Sequence, residues 1–164
     1  MSDSVDIILA CKNAELTIEE CISSILNQTF NTFNLFVFDD FSSDNTVNKI
    51  RSFNDKRITL IKSDKNIGTY ASKNFILKKF CKSKYVALHD ADDISLPNRI
   101  EKQVHELSNN KSIACLGTGI EEFWNSDNVK PHTITHEETN NNSRKNYYPK
   151  NITKCMFWPL CCAN

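Results

Sequence analysis

Glycine is scarce in this chain, with three residues (Gly68, Gly117 and Gly119) in 164. No G-x-G-x-x-G or G-x-x-x-x-G-K-[ST] run can be built from them, which removes the dinucleotide fingerprint and the phosphate-cradling P-loop. Charge of one sign is also missing. Twenty Lys and Arg balance twenty Asp and Glu, so no global field draws the chain to nucleic acid or to an anionic membrane. No apolar run approaches the ~20 residues that cross a bilayer, and "MSDSVDII" lacks the basic n-region and long h-region of a secretion signal. The seven cysteines include no C-x-x-C pair, Cys161 and Cys162 are too close for usual zinc spacing, and His132 and His136 stand alone. An odd cysteine count, with Cys11, Cys21 and Cys115 in apolar surroundings, suits reduced thiols and a cytoplasmic location.

What is present fits one domain spanning 1–164, long enough to bury roughly 68–70% of its unfolded surface. "VDIILAC" (5–11) is an apolar run of strand length, too continuous for a strand with one wet face. "TIEE" has the capping-box form, with Thr17 as N-cap and Glu20 at N3, and Ile18, Cys21, Ile22, Ile25 and Leu26 then follow helical spacing. Further strands are expected at 35–38, 58–61, 85–88 and 112–117. Helices are expected at 42–53, at 68–80 (with Ala71, Phe75, Ile76 and Phe80 available for packing), and from Ser95-Pro97 to about 107, Pro97 needing no amide hydrogen at N1. Strands alternating with helices imply an α/β fold whose mostly parallel sheet is covered on both faces. Residues 125–151 are polar and read as a long loop or a partly disordered stretch. The apolar "CMFWPLCCAN" (155–164) reads either as the truncated edge of a longer domain or as a strand closing the sheet.

In open parallel sheets, ligands bind beyond the carboxyl ends of the strands. Three such ends carry polar signals: Lys12-Asn13, Asp39-Asp40, and the run Asp90, Asp92 and Asp93. Adjacent carboxylates repel unless cations or hydrogen-bond donors stabilise them. Two acidic clusters on one rim point to a functional site. A nucleotide is the usual guest there, and without a glycine-rich cradle its phosphates call for a divalent cation with hard oxygen ligands, Mg²⁺ or Mn²⁺. A calcium loop starting at Asp90 fails, because Ser95 stands where glycine is needed and Pro97 starts a helix inside it.

These residues carry a resemblance. "VDIILACKNAELTIEECISSILNQTFNTFNLFVFDDFSSDNT" resembles the N-terminal half of a family 2 glycosyltransferase with the GT-A (Rossmann-like) fold. The matching motifs are Ser24-Ile25-Leu26-Asn27-Gln28-Thr29, Asp39-Asp40-Phe41-Ser42-Ser43-Asp44-Asn45-Thr46, "NIGTYASKN" (66–74), and a D-x-D formed by Asp90-Ala91-Asp92. The resemblance implies a nucleotide-sugar and metal-binding core over 1–119 and the start of an acceptor-side region over 120–164. It implies that the turn Ala10, Cys11, Lys12, Asn13 and the Asp39-Asp40 pair face the nucleotide, with Asp40 accepting a hydrogen bond from the base. Asp92 would ligate the metal, with Asp90 near the metal or ribose and Ala91 between them, and Lys73 would lie near the base or phosphates. Three residues depart from the family pattern: Lys73 where Arg is usual, Lys12 where an aromatic is usual, and Phe41 where Gly is usual. Lys73 keeps the charge and loses the bidentate fork.

The reaction implied is transfer of a sugar, with inversion, from a nucleoside-diphosphate sugar (UDP ahead of GDP) to a hydroxyl of a glycan, lipid or protein acceptor, with the metal stabilising the leaving diphosphate. The family's catalytic base lies well downstream of the D-x-D. Glu121, Glu122, Glu137 and Glu138 come too early or sit in the polar stretch, so no catalytic residue is assigned. Two alternatives stay open: a truncated or degenerate domain that binds a nucleotide or partner without catalysis, and a sugar nucleotidyltransferase. The latter needs a glycine-rich N-terminal loop that residues 10–16 lack. A further domain or partner covering the apolar C-terminus is also expected.

Overall fold

The first strand, β1 (Val5–Cys11), is buried along its whole length, as a run that is apolar but for Asp6 requires, and the Asp6 carboxylate accepts hydrogen bonds from Asn34, Lys82 and Ser83. It lies inside a parallel sheet, with side chains packed on both faces. A computed structural model gives the fold and describes residues 3–118, 120–122, 132–134 and 154–156. After β1 come α1 (Ile18–Leu26), β2 (Phe33–Asp39), α2 (Thr46–Ser52), β3 (Ile58–Lys62), α3 (Thr69–Lys79), β4 (Tyr85–Asp90) and α4 (Arg99–Asn109). The short strands β5 (Cys115–Leu116), β6 (Ile120–Glu122), β7 (His132–Ile134) and β8 (Lys154–Met156) follow. The main sheet has the order β3-β2-β1-β4-β8-β5 with every pairing parallel. β6 and β7 form a separate antiparallel pair.

Successive residues of β1 divide between two cores. Val5, Ile7 and Leu9 pack with Leu35 and Val37 of β2, Ile18, Ile22 and Ile25 of α1, Ile50 of α2, and Ile100, Val104 and Leu107 of α4. Ile8 faces the other way, with Phe36, Phe38, Val86, and Ile76 and Leu77 of α3. Three helices therefore cover one face and one helix the other, as expected of a doubly covered α/β sheet. On the α3 side, Phe75 meets Phe38 edge-to-face with centroids 5.6 Å apart and Phe80 in a tilted contact at 6.1 Å.

Several local expectations are corrected. Thr17 makes no side-chain cap; its hydroxyl reaches back to the Ala14 carbonyl at 3.5 Å. α2 starts at Thr46, not at 42, because residues 42–44 are engaged elsewhere. α4 starts at Arg99, two residues past Pro97. Ala71 faces solvent, and Ser72 and Leu77 take the inward positions of α3. Within 125–151, His132–Ile134 is a strand, consistent with its β-branched Thr133 and Ile134. The 154–156 segment does join the sheet as a strand, and its place is between β4 and β5. The expectations for Glu137 and Glu138, for His136 and for 157–164 lie outside the described residues. Among the described residues no helix is long and apolar enough to cross a membrane, and Cys11, Cys21 and Cys115 are free thiols.

Candidate functional site

β1 and β4 are parallel neighbours in a register that pairs Ala10 with Asp90. Their exit loops therefore leave the sheet side by side, and a cleft of ≈ 410 Å³ opens between them. Ala10, Cys11, Lys12 and Asn13 line it from β1, and Asp90, Ala91, Asp92 and Asp93 from β4. Thr69, the first residue of α3, also lines it, bringing to the cleft a helix N-terminus, whose partial positive charge favours anions. Burial and the nearby Asp39 carboxylate push the Cys11 thiol up to about 12, so it meets the cleft as a neutral thiol and not as a nucleophile.

The three clustered carboxylates have three different environments. Asp90 is ion-paired with Lys73, whose side chain is only 12% exposed. Asp92 is exposed at the cleft. Asp93 is half-buried, and desolvation together with the charges of Asp90 and Asp92 raises its carboxyl to about 6. The excess of negative charge is thus concentrated here, and a bound cation would relieve it. Among the described residues no three His, Cys, Asp or Glu side chains converge into an all-protein metal cage. Mg²⁺ and Mn²⁺ sites that use one or two carboxylates, waters and substrate phosphates need no such cage, so Asp92 and Asp90 fit that ion type. Asp93 does not cap α4, which begins six residues later.

The Asp39-Asp40 pair lies beside the cleft and does not line it. Asp40 is 4% exposed. Its carboxylate accepts the Ile67 amide at 2.7 Å and the Gly68 amide at 2.8 Å, holding the loop that enters α3. Asp39 Oδ2 accepts the Ser42 amide at 3.4 Å; its buried Oδ1 has no partner among the described residues. Residues 42–44 brace the cleft turn instead of starting α2, and Thr46, the first residue of α2, braces it as well. Ser42 Oγ accepts the Asn13 amide at 2.9 Å, Thr46 Oγ1 the Ala14 amide at 2.8 Å, and Asp44 Oδ2 the Glu15 amide at 3.1 Å. Asn13 Oδ1 in turn accepts the Ser43 amide at 2.9 Å. Asn13 and Phe41 have positive φ, 50° and 65°. Asn tolerates that region, whereas a bulky Phe is strained in it.

Beneath the acidic loop lies a buried polar chain. His89 Nδ1 is 2.7 Å from the Asp90 carbonyl, and Nε2 is 2.8 Å from Ser95 Oγ. A carbonyl only accepts, so Nδ1 carries the proton and Nε2 accepts from the Ser95 hydroxyl. Arg99 Nη1 donates to the same Ser95 oxygen at 2.8 Å, and Arg99 Nη2 to the Leu88 carbonyl at 3.2 Å. Burial, reinforced by the Arg99 charge, lowers His89 to about 3, keeping the ring neutral.

A family model described as "Glycosyl transferase family 2" matches residues 6–163. The chain belongs to this family. A glycosyltransferase of Haemophilus influenzae is 40% identical over 119 residues, covering 71% of this chain and 36% of the relative. An Escherichia coli UDP-Glc:α-D-GlcNAc-diphosphoundecaprenol β-1,3-glucosyltransferase is 40% identical over 106 residues, covering 65% of this chain and 42% of the relative. The chain therefore spans well under half the length of these relatives. Among solved structures, Staphylococcus aureus TarS 1–349 in complex with UDP superposes with TM-score 0.66 at 22% identity, over 77% of this chain and 38% of TarS. A Pyrobaculum calidifontis mannosyltransferase in complex with GDP-Man and Mn²⁺ gives 0.63 at 20%, over 70% and 34%. At that identity the two structures speak for a shared GT-A fold.

In this member of glycosyltransferase family 2, the Ser24–Thr29 motif has a visible task. Ser24 Oγ accepts the Ser95 amide at 3.0 Å, and Gln28 holds the Leu96 carbonyl at 2.8 Å and the Ile100 amide at 3.0 Å. The Thr29 amide donates to the Pro97 carbonyl at 2.8 Å. α1 thus clamps the loop that follows the D-x-D. From sequence this motif serves only as a family mark, Ser95 reads as a helix start, and His89 and Arg99 carry no signal. Ser95 and Arg99 stand four residues apart, a spacing that signals side-chain contact only once the loop is known to turn there.

Proposed function

We propose that this chain is the donor-binding part of a metal-dependent, inverting glycosyltransferase, residues 1–119 gripping a nucleoside-diphosphate sugar. The observation that carries this reading is the juxtaposition of the 10–13 turn and the Asp90–Asp92 loop across one cleft at adjacent parallel strand ends. Asp92, exposed there, and Asp90 would hold a Mn²⁺ or Mg²⁺ ion. Bound there, such a cation supplies charge neutralisation to the diphosphate as the sugar leaves. Lys73 adds a positive charge beside Asp90, and the N-terminus of α3 presents amides to the phosphates. The 10–13 turn, braced by Ser42, Asp44 and Thr46, would seat the nucleoside. Asp40, already accepting two amides, would act on the base chiefly by fixing that wall, keeping lone pairs for at most a shared contact.

Names among the relatives and structural neighbours support a sugar nucleotide as donor, UDP ahead of GDP, and a lipid-linked or glycan acceptor hydroxyl. The free thiols Cys11, Cys21 and Cys115 among the described residues accord with a cytoplasmic setting. The test is release of nucleoside diphosphate from a panel of UDP- and GDP-sugars, with and without Mn²⁺ and a lipid-diphosphate sugar acceptor. Mn²⁺-dependent release with a UDP-sugar is expected. Binding heat without turnover across the panel would instead identify a pure binding module.

A further inference from the structure

Residues 91–98 carry the exposed carboxylate of the cleft, Asp92, yet contain no strand or helix. Their position is set from below, and the node is Ser95, which is 4% exposed and does not line the cleft. Both its amide and its hydroxyl are used. Its amide donates to Ser24 Oγ at 3.0 Å. Its hydroxyl oxygen accepts from Arg99 Nη1 at 2.8 Å and its proton goes to His89 Nε2 at 2.8 Å. The direction of this chain is forced at both ends: a guanidinium only donates and a carbonyl only accepts. It terminates on the Asp90 carbonyl, inside the D-x-D itself, where the Cys21 thiol also donates at 3.3 Å.

Holding this network costs desolvation of an arginine that is 4% exposed and a histidine that is 1% exposed. A packed apolar cluster of equal volume stabilises a core at least as well, so stability alone does not explain these residues at this place. We propose that Ser95 is a positioning residue of the donor site. Its hydroxyl, backed by Arg99 and relayed through His89, fixes the Asp90 peptide from which Asp92 is aimed at the cation and diphosphate. The proposal rests on the donor-site reading above.

The test compares Ser95→Ala, Ser95→Thr and Asp92→Ala by Mn²⁺ titration followed by electron paramagnetic resonance, by UDP calorimetry at saturating Mn²⁺, and by thermal unfolding. Removing partners that orient metal ligands typically lowers metal affinity about 10–100-fold. That loss is expected for Ser95→Ala, with restoration in Ser95→Thr, which keeps the hydroxyl. Nitrogen-15 shifts of His89 should show the Nδ1–H tautomer in the wild type and its loss of definition in Ser95→Ala; a structural filler would not move affinity and tautomer together. Wild-type affinity in Ser95→Ala, while Asp92→Ala abolishes binding, overturns the Ser95 role and leaves the donor site standing. Wild-type affinity in Asp92→Ala removes the donor-site reading and this proposal with it. If Ser95→Ala does not fold, His89→Asn makes the same comparison: it keeps a donor near the Nδ1 position and drops the link to Ser95. Reduced Mn²⁺ affinity supports the proposal, and unchanged affinity overturns it.

Discussion

Replacing Asp40 by Asn separates two roles for the second acidic residue after β2. In the structure its carboxylate is a clamp: Oδ1 accepts Ile67 N–H at 2.7 Å and Oδ2 accepts Gly68 N–H at 2.8 Å, in a site where the side chain is 4% exposed. An asparagine presents one carbonyl oxygen and one NH₂, so one amide keeps an acceptor and the other meets a donor. Hydrogen bonds to charged groups are worth about 1.5–3 kcal/mol each, with a similar cost for a buried donor left unmade. Gly68 N–H has a second acceptor in Asn66 Oδ1 at 3.1 Å, which places the loss at the lower end, about 2 kcal/mol. For a chain of this size that lowers the Tm by about 4–8 °C. The assay is thermal and urea unfolding with no nucleotide or metal added. If Asp40→Asn unfolds within about 0.5 kcal/mol of the wild type and loses only nucleotide affinity, the clamp is not what Asp40 contributes.

Three further outcomes follow from the same contacts. Gln28→Ala should cost about 2–3 kcal/mol in urea unfolding, because it strips the Leu96 carbonyl and leaves the Ile100 amide buried and unpaired; a loss under about 1 kcal/mol would argue against the α1 clamp. Phe41→Gly should stabilise by about 1 kcal/mol, since a side chain that is 56% exposed gives up little packing and the φ of 65° suits glycine; an unchanged or lowered Tm contradicts it. His89, with its folded value near 3 against an ordinary 6.5, contributes stability that is complete above 6.5 and lost as pH falls toward 3, about 2 kcal/mol at pH 5. Asp93 works in the opposite sense, its raised carboxyl relieving a cost as pH drops through about 6. The His89 loss should therefore stand out between pH 8 and pH 5 in Asp93→Asn and vanish in the double variant with His89→Gln.

The layers of the fold were legible because local and global demands agree. The run of β1, apolar but for Asp6, announced burial on both faces, and the helical stripe of α1 announced one packed face. Capping rules failed where long-range partners took over the capping residues. Ser42 and Asp44 look like the start of a helix but bond the turn after β1, so that α2 begins only at Thr46, and Ser95 and Pro97 look like another start but are pulled onto α1 by Ser24, Gln28 and Thr29. The insertion of β8 between β4 and β5 depends on pairings far apart in sequence, to which no periodicity is sensitive. In the candidate site the two loops that meet could be read from strand ends alone. The displacement of Asp39 and Asp40 from the cleft, and the chain from Arg99 to the Asp90 carbonyl, needed the tertiary register.

The most direct test of the donor-site assignment is calorimetric titration of UDP into the wild type and Asp92→Ala, each with and without Mn²⁺. The wild type should bind UDP at least about tenfold more tightly with Mn²⁺ than without it, and Asp92→Ala should keep the weak, metal-independent binding while losing the gain. A Mn²⁺ gain of equal size in Asp92→Ala would contradict the assignment of that carboxylate to the metal and, with it, the reading of the cleft.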